Sequence, residues 1–402
     1  MNDPKAINDI LARLDETYLS SETLAAPTHY DLAVSVVCDI KCPLCPRQKL
    51  REAVRSGFMK PKHFEPVLPY LRFSHRTGLY GLGEPFLNKN FFTFLEAARA
   101  QGTYTMTSTH GMSLTDEMSR RLIDSGLDEL AVSIDGATRR TFNRLREGAD
   151  FDTVIGNVRR LIALRDAAGS RTPRVHIACA LSRYNVYEMV PMVWLSKRLR
   201  VDRLVFSNII FVKEEDAHLN VVGTRTFRYN WALARRLGRA LRLETLYFYQ
   251  KPFPWKKEYR PIRPGARFGC PSAWGAYVVE RDGNLKPCCY LDDSLGNTQD
   301  GEFGEAFNNE AARRLRETFL TGELRNECRE CGMLMEVSEA HVQRCLRDAR
   351  EMIAQASLSE AKREDLAGLL EHYESLSRGE EPTAVRMSAD RDEEHEQTAH
   401  SH

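Results

Sequence analysis

With 402 residues, 42% of them apolar and 28% charged, the chain is long enough to bury a large core and has the composition of an ordinary globular protein. Its 57 basic and 56 acidic residues leave a formal net charge of +1, which argues against a general nucleic-acid or anionic-membrane binder. The polar N-terminus, MNDPKAINDILARLDETYL, reads as a helix without the apolar centre of a signal peptide, and no run of about 18 apolar residues marks a transmembrane helix. A cytoplasmic, reducing location is therefore expected, where clustered cysteines point to metal or redox chemistry before disulfides.

From residue 30 to about 212, strand and helix signals alternate. Strand-like runs are DLAVSVV (31–37), TGLYGLG (77–83), TYTMTST (103–109), ELAVSID (129–135), VHIACAL (175–181) and RLVFSNI (203–209). Helical periodicity marks 91–100, 116–126, 151–169 and 186–199. Thr115 is a natural N-cap for the second of these and Gly126 its stop. Six βα units in succession imply a parallel sheet with right-handed crossovers, and periodicity alone leaves an open sheet or a barrel. An aromatic, basic stretch, YFYQKPFPWKKEYRPIRPG, then reads as a linker. Trp255, Tyr259 and Arg263 within it are placed to line a substrate mouth or to pack between domains. AYVVERDGNLKPCC carries a hairpin signal with Asp282-Gly283 at the turn. Helices follow at about 305–320 and 358–377, and the polar end reads as disordered.

Ten cysteines punctuate this pattern. Cys38, Cys42 and Cys45 sit in VVCDIKCPLCPR, spaced C-x3-C-x2-C directly after an apolar strand. Three thiolates can hold three irons of a [4Fe–4S] cube and leave the fourth open to a ligand. A structural zinc site or buried free cysteines are the plainer alternatives. Active sites of parallel α/β folds lie at the C-terminal ends of the strands, which is where this loop falls. A second group follows: Cys270, then Gly283 and Cys288 at C-x12-G-x4-C, then Cys328 and Cys331 as C-x2-C. Four thiols saturate one cluster, or one zinc ion. Cys289 adjoins Cys288, and the spacing to Gly283 favours Cys288 as the ligand.

CDIKCPLC at the end of a first strand resembles the signature of the radical S-adenosylmethionine superfamily, and further motifs agree in order. YGLGEPFLN (80–88) resembles the family's GGEP element, in which Gly81, Gly83 and Glu84 would hold the methionyl amino group. TSTHGMSLT resembles the third-strand turn, with His110 in place of the usual Asn. AVSIDGATRRTFNRLREGADFDTVIGNV is similar to the fourth-strand segment. By that resemblance Ser133 and Asp135 would lie near the ribose and Arg146 would meet the cofactor's carboxylate. Leu44 stands where an aromatic residue usually packs on adenine, keeping an apolar platform without stacking. The hairpin, helix and C-x2-C loop resemble the twitch form of the SPASM extension. The cysteines that would build a second auxiliary cluster are missing after Cys331.

The resemblance implies an α/β fold: a partial (β/α)6 TIM-like barrel with a small C-terminal iron–sulfur domain. The expected division is a helical extension at 1–29, the barrel at 30–235, a linker at 236–269, the auxiliary domain at 270–346, and a C-terminal helix with a disordered charged tail at 347–402. Two [4Fe–4S] clusters, one binding S-adenosylmethionine, and an external donor of flavodoxin or ferredoxin type are implied; no nucleic acid or membrane partner is. The implied chemistry is hydrogen abstraction from a C–H bond, with oxidation or epimerisation to follow. In an epimerase the hydrogen donor would be Cys179, Cys289 or Cys345. About 30 residues precede the first strand, too few for a separate peptide-binding domain, and twitch relatives include an aminocyclitol dehydrogenase. The expected substrate is therefore a small polar metabolite of sugar or aminocyclitol type. The alternatives are a peptide maturase and, from another class, a zinc-stapled scaffold without catalysis.

Overall fold

A computed structural model describes residues 2–49, 56–210, 214–248, 266–329 and 331–380. Helix α1 (Pro4–Asp15) opens the chain, capped by the Asp3 carboxylate. Seven parallel strands follow: β1 (His29–Ala33), β2 (Arg76–Tyr80), β3 (Tyr104–Thr109), β4 (Glu129–Ser133), β5 (Arg174–Leu181), β6 (Arg203–Asn208) and β7 (Glu244–Phe248). They pair in chain order, each with the next. The connecting helices are α2 (Phe91–Ala100), α3 (Asp116–Asp124), α4 (Arg139–Leu145), α5 (Phe151–Ala167), α6 (Met189–Leu199) and α7 (Arg225–Ala240). Thr115 caps α3 by accepting from Met118 N, and Gly126 follows its end with φ +68°.

Strand periodicity sorts the two faces. In β1, Tyr30 and Leu32 are fully buried in the main core, while His29, Asp31 and Ala33 are half-buried on the lumen side. In β5, Val175, Ile177, Cys179 and Leu181 belong to the main core. The fold is a partial parallel barrel, as the motifs imply.

Two parts of the expected layout differ. The linker begins later than 236, because α7 runs to Ala240 and β7 adds a seventh strand. Phe227, Ala234 and Gly238 form the buried stripe of α7, and Tyr247 packs on Phe227 and Trp231 with ring centroids 4.9 and 5.9 Å away. A Cβ on Gly238 would lie 2.2 Å from Thr245 Oγ1, so the helix approaches β7 there. Arginine-rich composition hides this stripe from a periodicity count. The remainder of the linker, with Trp255, Tyr259 and Arg263, lies outside the described residues, as does the tail beyond 380.

The C-terminal half is also more integrated than expected. Strands β8 (Phe268–Gly269), β9 (Ala276–Val279), β10 (Leu285–Lys286) and β11 (Met335–Glu336) follow, with helices α8 (Glu310–Thr321), α9 (Glu339–Gln355) and α10 (Glu360–Ser377). The expected hairpin forms between β9 and β10, and Gly283 turns it with φ +86°. Strand β9 then pairs parallel to β1, from His29↔Ala276 to Leu32↔Val279. The hairpin thereby extends the barrel sheet to nine strands. Helices α1, α9 and α10 share a separate core of Ile10, Leu14, Val342, Leu346, Ala349, Ile353, Leu366, Leu369, Leu370 and Tyr373. The expected boundary at 346/347 falls inside α9, which continues unbroken from its Ser338 cap.

Leu346→Ala removes a side chain from the centre of that three-helix core. It is expected to cost about 2–5 kcal/mol, read as a lower denaturant midpoint, with cleavage by protease directed to the terminal helices.

Candidate functional site

The loop after β1 carries Cys38, Cys42 and Cys45, all half-buried. Cys45 N donates to Cys42 O at 3.1 Å, which curls the C-x2-C turn. The Arg47 guanidinium donates to the carbonyls of Cys38 and Ile40 at 3.3 and 3.4 Å, and Lys41 N to Glu147 O at 2.7 Å. Burial pushes the Cys42 thiol up to about 11; Arg146 opposes this, while Cys45, Asp135 and Cys38 add to it. Burial raises Cys38 as well, against the Ile40 N–H. Three soft thiol donors on one loop, two of them raised by burial, are a donor set that a thiophilic metal would deprotonate and bind.

The GLGEP turn lies on the backbone leading into this loop. Gly83 N donates to Ser35 O at 3.0 Å and Glu84 N to Val37 O at 2.7 Å. A Cβ on Gly81, where φ is +131°, would sit 1.9 Å from Ser35 O; one on Gly83 would sit 2.2 Å from Val37 O. The glycines thus admit the cysteine loop's own backbone. Glu84, 2% exposed, accepts from Thr109 Oγ1 at 2.8 Å and His110 N at 2.9 Å. His110 Nε2 lies 2.8 Å from Asp39 Oδ1 and 3.3 Å from Glu84 Oε2. Met112 N donates to His110 Nδ1 at 3.1 Å, so the ring proton belongs on Nε2, facing both carboxylates. Burial raises the Glu84 carboxyl above its usual range, and His110 works against it.

Beyond β4, Asp135 Oδ2 meets Arg146 Nε at 2.6 Å, and Asp135 Oδ1 accepts from Ala180 N at 2.7 Å. Burial opposes the Arg146 charge, but Asp135 and then Cys42 outweigh it and raise the guanidinium above its ordinary value. Arg146 is thus the partner of Asp135 Oδ2 and the Ala180 amide the partner of Oδ1. Ser133 is half-buried at the end of β4, and Leu44 is half-buried within the triad loop.

Several positioning residues had no sequence signal. Asn185 Nδ2 donates to Asp135 O and Ala180 O, both at 2.8 Å. Glu188 accepts from Ala137 N at 2.6 Å, Thr138 N at 3.2 Å, Thr138 Oγ1 at 2.8 Å and the Thr141 hydroxyl, and so anchors the start of α4, whose C-terminal end delivers Arg146. These contacts span some 50 residues of chain, which short motifs do not see. Asp39 was in plain view inside CDIKC but assigned no role.

The second thiol group surrounds a cavity of about 540 Å³ whose walls include Cys270, Cys288, Cys289, Cys328 and Cys331. Pairing of Gly269 with Met335 brings Cys270 beside the C-x2-C turn, where Cys331 N donates to Cys328 O at 3.1 Å. Burial lifts Cys270 to about 11 and Cys328 to about 12, with neighbouring thiols adding to both. His29, Asp31 and Arg76 form a lumen wall of the same cavity, and Ile210, just past β6, and Phe248, at the end of β7, also line it. The triad leaves the C-terminal end of β1, while the register of β9 sets the second group near His29 at its start. Four residue steps of strand at ~3.3 Å separate those levels by roughly 13 Å.

Of the three hydrogen-donor candidates, only Cys289 lines this cavity. Cys179 is packed in the main core, 2% exposed, with Asn185 Nδ2 at 3.9 Å. Cys345 is 1% exposed in α9, 3.5 Å from His341 Nε2. Both are core cysteines, and the structure removes them as donors to a lumen substrate.

A family model described as the Radical SAM superfamily matches residues 32–167, and one described as an iron–sulfur cluster-binding domain, SPASM, matches residues 270–332. The chain carries a radical SAM domain followed by a SPASM domain. These domains imply a [4Fe–4S] cluster that binds S-adenosylmethionine and an auxiliary iron–sulfur site. Among curated proteins, the chain is 22% identical over 194 residues to the tungsten-containing aldehyde ferredoxin oxidoreductase cofactor-modifying protein of Pyrococcus furiosus, covering 46% of this chain and 53% of that protein. It is 28% identical over 128 residues to the mycofactocin maturase MftC of Mycobacterium tuberculosis, covering 31% of each. With the PqqA peptide cyclase of Rhizobium meliloti it shares 24% over 213 residues, 51% of this chain and 53% of the relative. The chain thus spans between about a third and about half of these relatives' lengths. SuiB of Streptococcus suis bound to S-adenosylmethionine superposes with a TM-score of 0.57 at 14% identity, covering 76% of this chain and 71% of that one, a likeness of fold. No helix among the described residues is long and apolar enough to cross a membrane.

Gly81→Ala forces a Cβ into the Ser35 carbonyl. It is expected to lower stability by at least about 2 kcal/mol and to reduce iron bound at the triad, checked by melting temperature and iron per chain. Cys328→Ala is expected to remove about four irons while leaving the first cluster's electron paramagnetic resonance signal in place.

Proposed function

We propose that this protein is a radical S-adenosylmethionine enzyme that modifies a peptide oxidatively. Reduced on its cluster, S-adenosylmethionine supplies a 5′-deoxyadenosyl radical able to take hydrogen from an unactivated C–H bond. Cys38, Cys42 and Cys45 would hold that cluster. Glu84, kept in place by Thr109 and His110, would take the cofactor's amino group. Arg146 spends Nε on Asp135, and its terminal nitrogens would take the cofactor's carboxylate. Ser133 is left for the ribose, and Leu44 for the adenine face. Cys270, Cys288, Cys328 and Cys331 would hold the auxiliary cluster.

One observation carries the substrate class. A cavity of about 540 Å³ joins the second thiol group to lumen residues of β1 and β2 and is walled by Ile210, Phe248 and Met333. Its apolar walls suit a peptide side chain better than a small sugar. The relatives point the same way: one is named as a peptide cyclase, and SuiB has been seen bound to its precursor peptide SuiA. The peptide alternative therefore replaces the sugar or aminocyclitol substrate as the preferred reading. The cavity wall formed by the second thiol group favours electron removal from the substrate over hydrogen return.

After anaerobic reconstitution, about eight irons per chain and dithionite-dependent formation of 5′-deoxyadenosine are expected, with Cys42→Ala abolishing both triad iron and cleavage. Short peptides encoded beside the gene are expected to lose two hydrogens in a reaction that sugars and aminocyclitols do not support. Turnover of a sugar with no peptide reaction would overturn the substrate class. One zinc per chain without iron uptake would overturn the enzyme itself.

A further inference from the structure

The outer layer of the barrel carries a surface that the reaction does not use. Helices α6 and α7 pack side by side after β5 and β6. Helix α7 contains Arg225, Arg228, Arg235, Arg236 and Arg239 and no acidic residue, and Arg242 follows it. All six arginines are exposed. Some arginines elsewhere are closely paired, as in Arg165–Asp202 at 2.6 Å and Arg203–Glu244 at 2.7 Å. No ion pair joins any of these six to another described residue. Lys197 and Arg198 stand exposed near the end of α6. On a chain of net charge +1 this is a strong local concentration of one sign.

The same face exposes large apolar side chains. Tyr187 is 67% exposed and Trp194 50% on the α6 side; Tyr229 is 67% and Leu233 41% on α7. Of the other exposed apolar side chains, Leu82 sits on the glycine turn after β2, and Phe248 and Met333 line the cavity. Trp, Tyr and Arg are the side chains that concentrate binding energy at protein interfaces, and α6 and α7 expose all three types on neighbouring helices.

We propose that the α6–α7 face docks an acidic protein, one that presents aspartates and glutamates around an apolar centre. Charge complementarity selects this occupant. A second copy docking by two-fold symmetry would lay arginines against arginines. A membrane would receive only four apolar side chains, because Met192, Val193, Leu199, Phe227 and Ala234 lock both helices into the barrel. Nucleic acid would use the arginines but leave Trp194 and Leu233 without a role. The face covers the helix side of β5 to β7, away from the triad at the end of β1, so a docked protein would leave the lumen accessible.

The full chain is titrated with a fluorescein-labelled, amphipathic helical peptide of about 20 residues, built from Leu, Trp, Asp and Glu. Parallel probes are poly-glutamate, single-stranded DNA of equal charge, and phosphatidylserine vesicles. The expected result is saturable binding of the amphipathic peptide, weakened ~10-fold or more both by R235E/R236E/R239E and by W194A/Y229A. Circular dichroism, iron content and 5′-deoxyadenosine formation should be unchanged in both variants. Equal peptide binding by either variant, or no binding at all, would overturn the proposal. So would tighter binding of DNA or vesicles, or poly-glutamate binding as well as the amphipathic peptide. Sedimentation showing self-association that R235E/R236E/R239E abolishes would assign the face to a second copy instead.

Discussion

The site depends on a contact between two stretches of backbone. Strand β1 ends at Ala33, yet the chain runs on along the turn that follows β2, with Ser35 N donating to Tyr80 O at 3.3 Å and the Gly83 and Glu84 amides donating back to Ser35 and Val37. No side chain fits between them at Gly81 or Gly83. The carbonyls of Val34 and Met59 are closed by the Asn88 amide at 2.8 and 3.1 Å. One seam of hydrogen bonds therefore sets where Cys38 begins and where Glu84 ends. Any disturbance of the glycine turn moves the thiols and the carboxylate together, which is why the two cannot be regarded as independent ligands.

Electrostatics then compensate what burial costs. Desolvation raises Glu84, Cys38 and Cys42 alike, so each is held toward its neutral form unless a partner intervenes. His110 is that partner for Glu84, and its Nε2 reaches Asp39 on the triad loop as well. Arg146 is the partner for Cys42 and is itself retained by Asp135. The opposing partners follow strands β3 and β4, whose own loops are pinned by Asn157, donating to Gly111 O at 2.9 Å, and by Glu188. A bound cation at the thiols would relieve the burial penalty on Cys38 and Cys42.

Much of this was readable from residues alone. The alternation of apolar runs with periodic helices located β1 to β6 to within a few residues, because each strand carries a buried face and several helices, such as α3, α4 and α5, a side-chain cap of their own. Thiol spacing and the GLGEP turn marked the loops. What escaped has a common physical character: it depends on contacts between distant segments. Strand β7 is half-exposed along its length, with no buried alternation to betray it, and becomes recognisable through Phe227 and Trp231 on Tyr247. Glu188 reads as one more acidic residue until Thr138 and Thr141 are folded against it. The pairing of the terminal helices rests on apolar stripes more than 330 residues apart, as for Leu14 and Leu346 in one core. The bonds from Asp135 to Arg146 and to the Ala180 amide likewise join segments that no short motif spans.

Strand β1 shows how five residues can serve both halves. Its core side, Tyr30 and Leu32, is wholly buried, and its lumen side, His29 and Asp31, faces the cavity bordered by the second thiol group. One edge pairs with β2, whose turn organises the triad, and the other with β9, which carries the auxiliary hairpin. Because pairing register moves in whole residues, a slip at either edge would invert which side chains face the core. The spacing between the two thiol groups is consequently fixed by a hydrogen-bonded ladder and not by a flexible domain junction. A zinc staple alone would need no such registration to an open lumen. Strand β1 thus ties the auxiliary thiols to the barrel at a separation from the triad that the ladder sets.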